Sequence, residues 1–415
     1  MFTFIHTADL HLDSPFKEIT AKDGKIGEIL RNATFKAFDD LVKLCIDENV
    51  DFLLIAGDIF DSSNKILRTQ LKFREGLAKL DEKNIKIFIV CGNHDPLNEW
   101  KLKFDFAKSV HFFPIDNVEK ITLTTKSGDK VIIHGISYGV KDEHRNLASM
   151  FKRVGKGSAY EIGMLHCNVG SDTGHEPYAE CSKQNLIEAN MDYWALGHIH
   201  KRNILSKDPY IVYPGNIQGR HINEAGEKGC YLVRVENNRT QVPEFKILNS
   251  VIWKYLEVDM GKVGSFDKIY AKIEDECKNK MIDYPKSSIL FRLMLKGRNN
   301  IGSELDFEKL QELCETINEN NLNDFPFYWI TDVISKIKPL HDIQNLMESD
   351  GFIGDLLKAG NELRKNESLK DAFRKIFDEF SSKKELLKAI EGMDENELEV
   401  ILKDAEYLCV DKLLD

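Results

Sequence analysis

Residues 52–61 read FLLIAGDIFD, from Phe52 to Asp61. The run is apolar as far as Ala56 and stops at Gly57-Asp58. A helical pattern precedes it. Such a run, closed by Gly-Asp, is what a parallel strand buried on both faces looks like in sequence. Ligands of open α/β sheets gather beyond the carboxyl ends of the strands. Asp58 is therefore expected at the rim of a crevice, where its carboxylate can solvate one cation or bridge two. Gly57 removes a side chain where backbone and ligands crowd. Taken alone, the stretch is better read as a strand followed by an Asp-containing turn.

The neighbouring segments favour the first reading. Upstream, Phe2 to Ala8 predicts a strand ending at Asp9-Leu10-His11. Side chains two apart on a strand share a face, so Asp9 and His11 can converge on one ion. His6 is assigned a supporting or structural role. An amphipathic helix is expected over 27–49, with Ile29, Leu30, Ala33, Ala37, Leu41 and Leu44 inward. Downstream come a helix over 65–83 and a strand from Ile85 to Cys91 that runs into Gly92-Asn93-His94-Asp95-Pro96. A hairpin follows at 118–136 around Ser127-Gly128-Asp129. Strands ending at His166 and at Leu196 come next, the second leading into Gly197-His198-Ile199-His200. Strands at 210–213 and 229–235 complete the region. The order β-α-β-α-β, then mainly β, predicts an α/β fold: a mixed two-sheet sandwich flanked by helices.

A boundary is expected near residue 250. Residues 251–340 read as a small α/β module, with strands at 253–258, 288–295 and 326–334 and helices at 265–280 and 306–320. From about 345 the pattern is helical to residue 415. Phe373, Ile376, Phe377 and Phe380 share one stripe, and Leu398, Ile401, Leu402, Ala405 and Leu408 another. Asp394 with Glu397 resembles a capping box.

Composition narrows the class. The 415 residues are 42% hydrophobic and 30% charged, an ordinary globular balance suggesting two or three domains. No run of eighteen apolar residues and no basic-apolar leader is present, so membrane insertion and classical secretion are not expected. The eight cysteines are scattered without a C-x-x-C pair and read as reduced core thiols, as in a cytoplasmic protein. Residues 1–250 hold 33 basic and 34 acidic side chains, and the remainder 24 and 34. That is not the basic footprint of a self-sufficient nucleic-acid binder. Eleven of twelve histidines precede residue 250, which marks the first region as the chemical one.

Five strand-end motifs remain: Asp9-x-His11, Gly57-Asp58, Gly92-Asn93-His94-Asp95, Gly163-x-x-His166 and Gly197-His198-x-His200. A single histidine at a strand end is more often structural than a ligand. Five such motifs, each closing an apolar run, point to a shared metal centre. They offer carboxylate, imidazole and amide oxygen but no thiolate, which suits Mn²⁺, Fe²⁺ or Zn²⁺.

In this order the motifs resemble those of the calcineurin-like metallophosphoesterases. The resemblance implies a two-sheet metallophosphoesterase sandwich over 1–250 and two divalent metal ions, Mn²⁺ first among the candidates. It implies that Asp9, His11, Asp58 and His200 hold one ion. Asp58 also reaches the second, held by Asn93, His166 and His198. His94 would face the substrate phosphate, oriented by Asp95. The ions and a hydroxide between them would drive in-line hydrolysis of a phosphodiester.

The segments FIHTADLHLDSPF and YPGNIQGRH, with VIWKYLEVD and SSILFRLMLKGR, are similar to SbcD/YhaO-type DNA repair exonucleases. That implies a DNA substrate, a capping module that selects it over 251–340, and C-terminal helices over 341–415 that contact an SbcC-like ATPase; a homodimer stays open. Arg202, Arg220, His221, Lys296 and Arg298 are candidates for DNA contact, each alone better read as solvated surface charge. His134, His144 and His175 read as structural. Phe325, Phe327, Tyr328 and Trp329 are candidate base-stacking residues, better read as core. Two alternatives are carried: a phosphodiesterase or phosphatase for small nucleotides or phosphoproteins, and a non-catalytic scaffold.

Overall fold

The computed structural model describes the chain except residues 15, 17–23, 62–66, 100–104, 156–158, 171–175, 177, 262, 300–304, 322–325, 367, 379–389 and 415. His175, Phe325 and Phe380 lie outside the described residues, as do the side chains of Ile376 and Phe377.

In the first sheet β1 (Phe2–Thr7), β2 (Phe52–Ala56), β3 (Lys86–Val90) and β4 (Val110–Phe112) run parallel, side by side in that order. On the far side of β1 lies β11 (Gly229–Glu236), antiparallel to it and flanked by β12 (Arg239–Thr240) and β13 (Glu244–Ile247). The second sheet has a parallel centre of β6 (Lys130–Gly135), β7 (Tyr160–His166), β8 (Tyr193–Gly197) and β10 (Tyr210–Tyr213). Its antiparallel edges are β5 (Glu119–Thr124) and β9 (Asn203–Lys207). Edge positions suit strands with alternating exposure, and β5 alternates in that way.

The apolar run of β2 follows from burial on both faces. Phe52, Leu54 and Ala56 point between the sheets, with Phe4, Phe88, Ile133, Ile162, Met164 and Tyr193. Leu53 and Ile55 point the other way, onto α1 (Gly24–Asp47) and α2 (Leu67–Asp81), with Ile87, Leu41, Phe73 and Leu77. Phe38, not among the expected inward residues, is fully buried there and lies 5.5 Å from Phe73. The outer face of the second sheet buries Leu165, Trp194 and Leu196 with Leu186 of α3 (Lys183–Glu188). Between the sheets Phe4 stacks on Phe52 at 5.0 Å and meets Tyr193 edge-on at 5.3 Å, both favoured aromatic arrangements.

Three further strands, β14 (Val251–Asp259), β15 (Ser288–Arg298) and β16 (Tyr328–Lys338), form a third sheet in that order. Two helices, α4 (Phe266–Ile282) and α5 (Phe307–Glu319), complete this α/β region. The chain divides into two compact units along a line that crosses these strands. One unit is Met1–Leu256, Glu274–Leu293 and Leu313–Val333; the other is Glu257–Ile273, Met294–Glu312 and Ile334–Asp415. In the first, Val251, Trp253, Leu290 and Phe327 bury against Leu30, Ala33 and Ile222. Phe327 and Tyr328 are core residues, as the pattern implied.

The second unit carries α6 (Ile343–Glu348), α7 (Phe352–Asn366), α8 (Leu369–Asp378) and α9 (Glu395–Leu414). The capping box forms: Glu397 N donates to Asp394 Oδ1 at 2.8 Å, and Asp394 N to Glu397 Oε2 at 2.9 Å. The stripe of α9 divides. Leu398 is buried, whereas Ile401 and Leu408 are 39% and 48% exposed. Glu406 and Asp411 turn inward instead. Arg364 grips Glu406 with two bonds of 2.7 and 2.8 Å, and Arg298, Lys338 and His341 converge on Asp411.

Candidate metal centre

The parallel registers of β1 to β3 and of β7 and β8 bring five carboxyl ends to one rim. The loops beyond them are stitched by backbone bonds: Asp9 N to Gly57 O at 3.0 Å, His11 N to Asp58 O at 3.1 Å, and Leu12 N to Ile59 O at 2.9 Å. Asp9, His11, Asp58 and His198 adopt φ of 51, 42, 52 and 97°, in the left-handed region. Such conformations cost on the order of 1–3 kcal/mol each and persist where surrounding bonds over-determine them. Here they turn the side chains back across the strand ends. The glycines of these motifs leave no room either: a methyl on Gly92 would strike Asp58 Oδ1, and one on Gly57 the His166 ring.

The side chains converge. Asp9, His11 and His200 have ligand atoms within 4.8 Å of one another, as do His11, Asp58 and His94, and Asp9, Asp58 and His166. His166 donates from Nδ1 to Ala56 O at 2.9 Å, so its Nε2 faces Asn93 Oδ1 at 3.1 Å and Asp58 Oδ2 at 3.4 Å. Asp9 accepts from His198 N at 3.0 Å, and Asp58 from His94 N at 3.0 Å. The His198 ring lies 5.2 Å from that of His166, with Nε2 2.9 Å from Glu176 O. His94, with a side chain 35% exposed, is the open face of the group, and its Nδ1 is 2.9 Å from Asp61 O. The carboxylate of Asp95, fully buried, accepts from Ile59 N at 2.8 Å and Gly92 N at 3.0 Å, holding the loop that carries Asn93 and His94.

The electrostatics suit divalent cations. Burial, with the charge of Arg220, holds the His11 imidazole down at about 3, neutral as a metal ligand would have to be. Burial raises the Asp9 carboxyl. For His166 burial acts downward, but the Asp58 and Asp9 carboxylates outweigh it and carry the imidazole up to about 9. Two buried carboxylates thus demand positive charge beside them. The Nε2 atoms of His11 and His200 face each other at 3.1 Å. Ligands at about 2.0–2.1 Å from one ion stand about 3 Å apart when adjacent in its shell. Carboxylate, imidazole and amide donors at these spacings fit hard-to-borderline ions.

Behind the expected residues stands a group that pattern reading passed over. Asp61, last residue of the opening stretch, accepts from Ser14 Oγ at 3.0 Å and from Arg220 at 2.6 Å. Its Oδ1 is 3.2 Å from His11 Nδ1, close enough for attraction but not aligned as a hydrogen bond. Glu224 accepts from His200 Nδ1 at 2.7 Å. Burial would raise the Glu224 carboxyl, but the bonds from His200 and His221 and the charge of Arg220 hold it far below the usual range. Lys228 Nζ donates to His200 O at 2.8 Å. Arg220, a candidate for surface charge or DNA contact, is instead an inner ion pair with a side chain 14% exposed. Arg202 is exposed and lies over the Phe245 ring, Lys296 pairs with Glu257, and Arg298 with Asp411. His134 is buried against Glu161 at 2.7 Å.

Residues 2–202, which hold all five motifs, match the family described as calcineurin-like phosphoesterase. Over 359 residues the chain is 33% identical to the "uncharacterized metallophosphoesterase YhaO" of Bacillus subtilis, covering 86% of each. It is 27% identical over 300 residues to the DNA double-strand break repair protein Mre11 of Methanocaldococcus jannaschii, covering 68% of this chain and 76% of that one. A dimetal phosphatase from Danio rerio superposes with a TM-score of 0.34 and 13% identity over 56% of this chain and 92% of that one. Among the described residues no helix is long and apolar enough to cross a membrane. The near end-to-end likeness to YhaO, with the strand-end motifs inside the matched region, makes the chain a member of the calcineurin-like phosphoesterases, hydrolases of phosphoester bonds.

Proposed function

We propose that the chain is a two-metal phosphodiesterase acting on DNA, an exonuclease or endonuclease subunit in DNA repair, in the cytoplasm. The observation that carries the phosphodiesterase reading is Asp58, whose carboxylate stands between the His11–His94 side and the His166 side of one cluster. Asp9, His11, Asp58 and His200 would hold one ion, and Asp58, Asn93, His166 and His198 the other, with Mn²⁺ the first candidate. Bound there, the ions supply an acidified attacking water and a clamp for the phosphate oxygens. The protein's own part is positioning and proton handling. With Nδ1 of His94 donating to Asp61 O, its Nε2 is the nitrogen left to meet a phosphate oxygen or protonate the leaving oxygen.

The DNA part is supported by the likeness to Mre11. The first 250 residues are near neutral, which suits a nuclease whose grip on DNA comes partly from a partner. An SbcC-like ATPase is that partner in our reading, docked on the helices of 341–415; the outward Ile401 and Leu408 of α9 support it. Residues 251–340 would cap the site and select DNA.

The test is incubation of the purified chain in Mn²⁺ with end-labelled duplex and single-stranded DNA, beside cyclic and mononucleotides. Degradation of DNA with an ordered product ladder supports the reading. Turnover of the small nucleotides with intact DNA refutes the DNA part and favours a small-nucleotide phosphodiesterase. Metal content of Asp58→Ala and His200→Ala tests the ligand assignment. Asp58→Ala should lose both ions and His200→Ala mainly one; two fully occupied ions in Asp58→Ala would overturn it.

A further inference from the structure

We propose that Glu224, Arg220 and Asp61 form a positioning clamp that sets the ligand nitrogens of His200 and His11 against one another, Glu224 acting directly on His200. The inference rests on the reading of Asp9, His11, Asp58 and His200 as ligands of one ion.

A histidine on a loop after a strand has two rotatable side-chain bonds and two tautomers, so its ligand nitrogen is not defined by the fold alone. Glu224 removes that freedom. Its Oε1 lies 2.7 Å from His200 Nδ1. An ionised carboxylate only accepts, so Nδ1 carries the proton and Nε2 keeps its lone pair. That lone pair faces His11 Nε2 at 3.1 Å. The backbone is pinned as well, by Lys228 Nζ on His200 O at 2.8 Å.

Glu224 is itself held at both oxygens. Its other oxygen accepts from Asn216 Nδ2 at 2.8 Å and from Arg220 N at 2.7 Å. The Arg220 guanidinium then forks: one arm reaches Glu224 Oε1 at 3.2 Å, the other Asp61 Oδ1 at 2.6 Å. Asp61 stands behind His11 at 3.2 Å and holds His94 Nδ1 through its main-chain oxygen at 2.9 Å. One guanidinium therefore joins the carboxylate behind His200 to the carboxylate behind His11. A planar fork is needed for this, because a lysine ammonium is a point charge on a flexible stem. Glu224 and Arg220 both come from the 213–229 segment, outside the residues that hold the five motifs.

A merely structural carboxylate would change stability and leave the ions equal. A positioning carboxylate changes one ion selectively. Mn²⁺ alone is titrated into the full-length chain without substrate, calorimetrically and by electron paramagnetic resonance, for wild type, Glu224→Gln and Arg220→Lys. Glu224→Gln should weaken one Mn²⁺ step by about 10–100-fold, the usual worth of an outer partner of a ligand, and leave the other step unchanged. Imidazole ¹⁵N resonances of the metal-free protein should show His200 losing its single tautomer. Arg220→Lys should weaken the same step by a smaller factor. Wild-type affinity at both steps in Glu224→Gln overturns the clamp, as does equal weakening of both. If circular dichroism shows Glu224→Gln unfolded, Arg220→Lys decides by the same criteria. A wild-type chain that takes up no Mn²⁺ overturns the ion assignment and the clamp together. Failure to cut DNA leaves the clamp untouched, because no DNA enters the titration.

Discussion

Gly57→Ala should cripple the site while a chemically identical change at Gly128 does little. Both glycines have a left-handed backbone, with φ of 93° and 87°. Placing a Cβ there costs about 1–2 kcal/mol in either case, partly offset by about 0.4–1 kcal/mol from the stiffer unfolded chain. The surroundings separate them. At Gly128, in the turn between β5 and β6, a methyl meets nothing within 4 Å. At Gly57 it falls on the His166 ring, which cannot retreat because Nδ1 is bonded to Ala56 O and Nε2 faces Asn93 and Asp58. Overpacking of this kind adds about 1–3 kcal/mol. Gly57→Ala should therefore lose about 2–4 kcal/mol in all, and Gly128→Ala within about 1.5 kcal/mol. Urea denaturation of the metal-free proteins measures the difference, and Mn²⁺ uptake reports on His166. A Gly57→Ala protein with wild-type midpoint and two tightly held ions would refute the close approach on which the site is built.

Three other outcomes are expected. His94→Ala should retain its metal content but lose about 10²–10⁴-fold in turnover, the usual worth of a proton donor or acceptor; parallel loss of metal would make His94 a ligand. His6 is fully buried between Tyr193 and Leu196, and burial, opposed by the bond to Leu196 O, lowers its pKa to about 3. The unfolded chain then binds the extra proton between roughly pH 6.5 and 3. The His6 contribution is thus intact above that window and falls by about 2 kcal/mol on going from pH 7.5 to 5; His6→Gln should lack this extra slope in denaturation midpoints, and parallel curves would contradict it. Ile401→Asp with Leu408→Asp on α9 should leave cleavage of bis-nitrophenyl phosphate intact and abolish co-purification of the ATPase, equal recovery placing the docking surface elsewhere.

Much of the centre was legible because a parallel strand buried on both faces has to be an apolar run, and β2 is one. Where such a run ends, polar residues mark the rim. Five runs ending in Asp, Asn or His therefore announce a shared site in the sequence itself, and the helices on the first sheet follow from periodicity. Phe38 is not among the expected inward residues because the stripe read from periodicity is narrower than the buried face of α1. The stripe on α9 was visible, but not that Ile401 and Leu408 would point outward. That direction depends on Arg364 and the group around Asp411, residues distant in sequence from those they hold.

The ion pairs behind the candidate ligands show the same division most clearly. Asp61 lies three residues beyond Asp58, and Arg220 meets it from 159 residues away. A charged side chain looks alike in sequence whether solvated or paired, since pairing leaves no period and no spacing. The α/β class, the ordered strand ends and the donor types are legible along the chain, because burial and backbone pairing impose local patterns. Which imidazole nitrogen faces the site, and which carboxylate stands behind it, is set by the folded arrangement. Those follow from directional contacts between segments that chain order does not bring together.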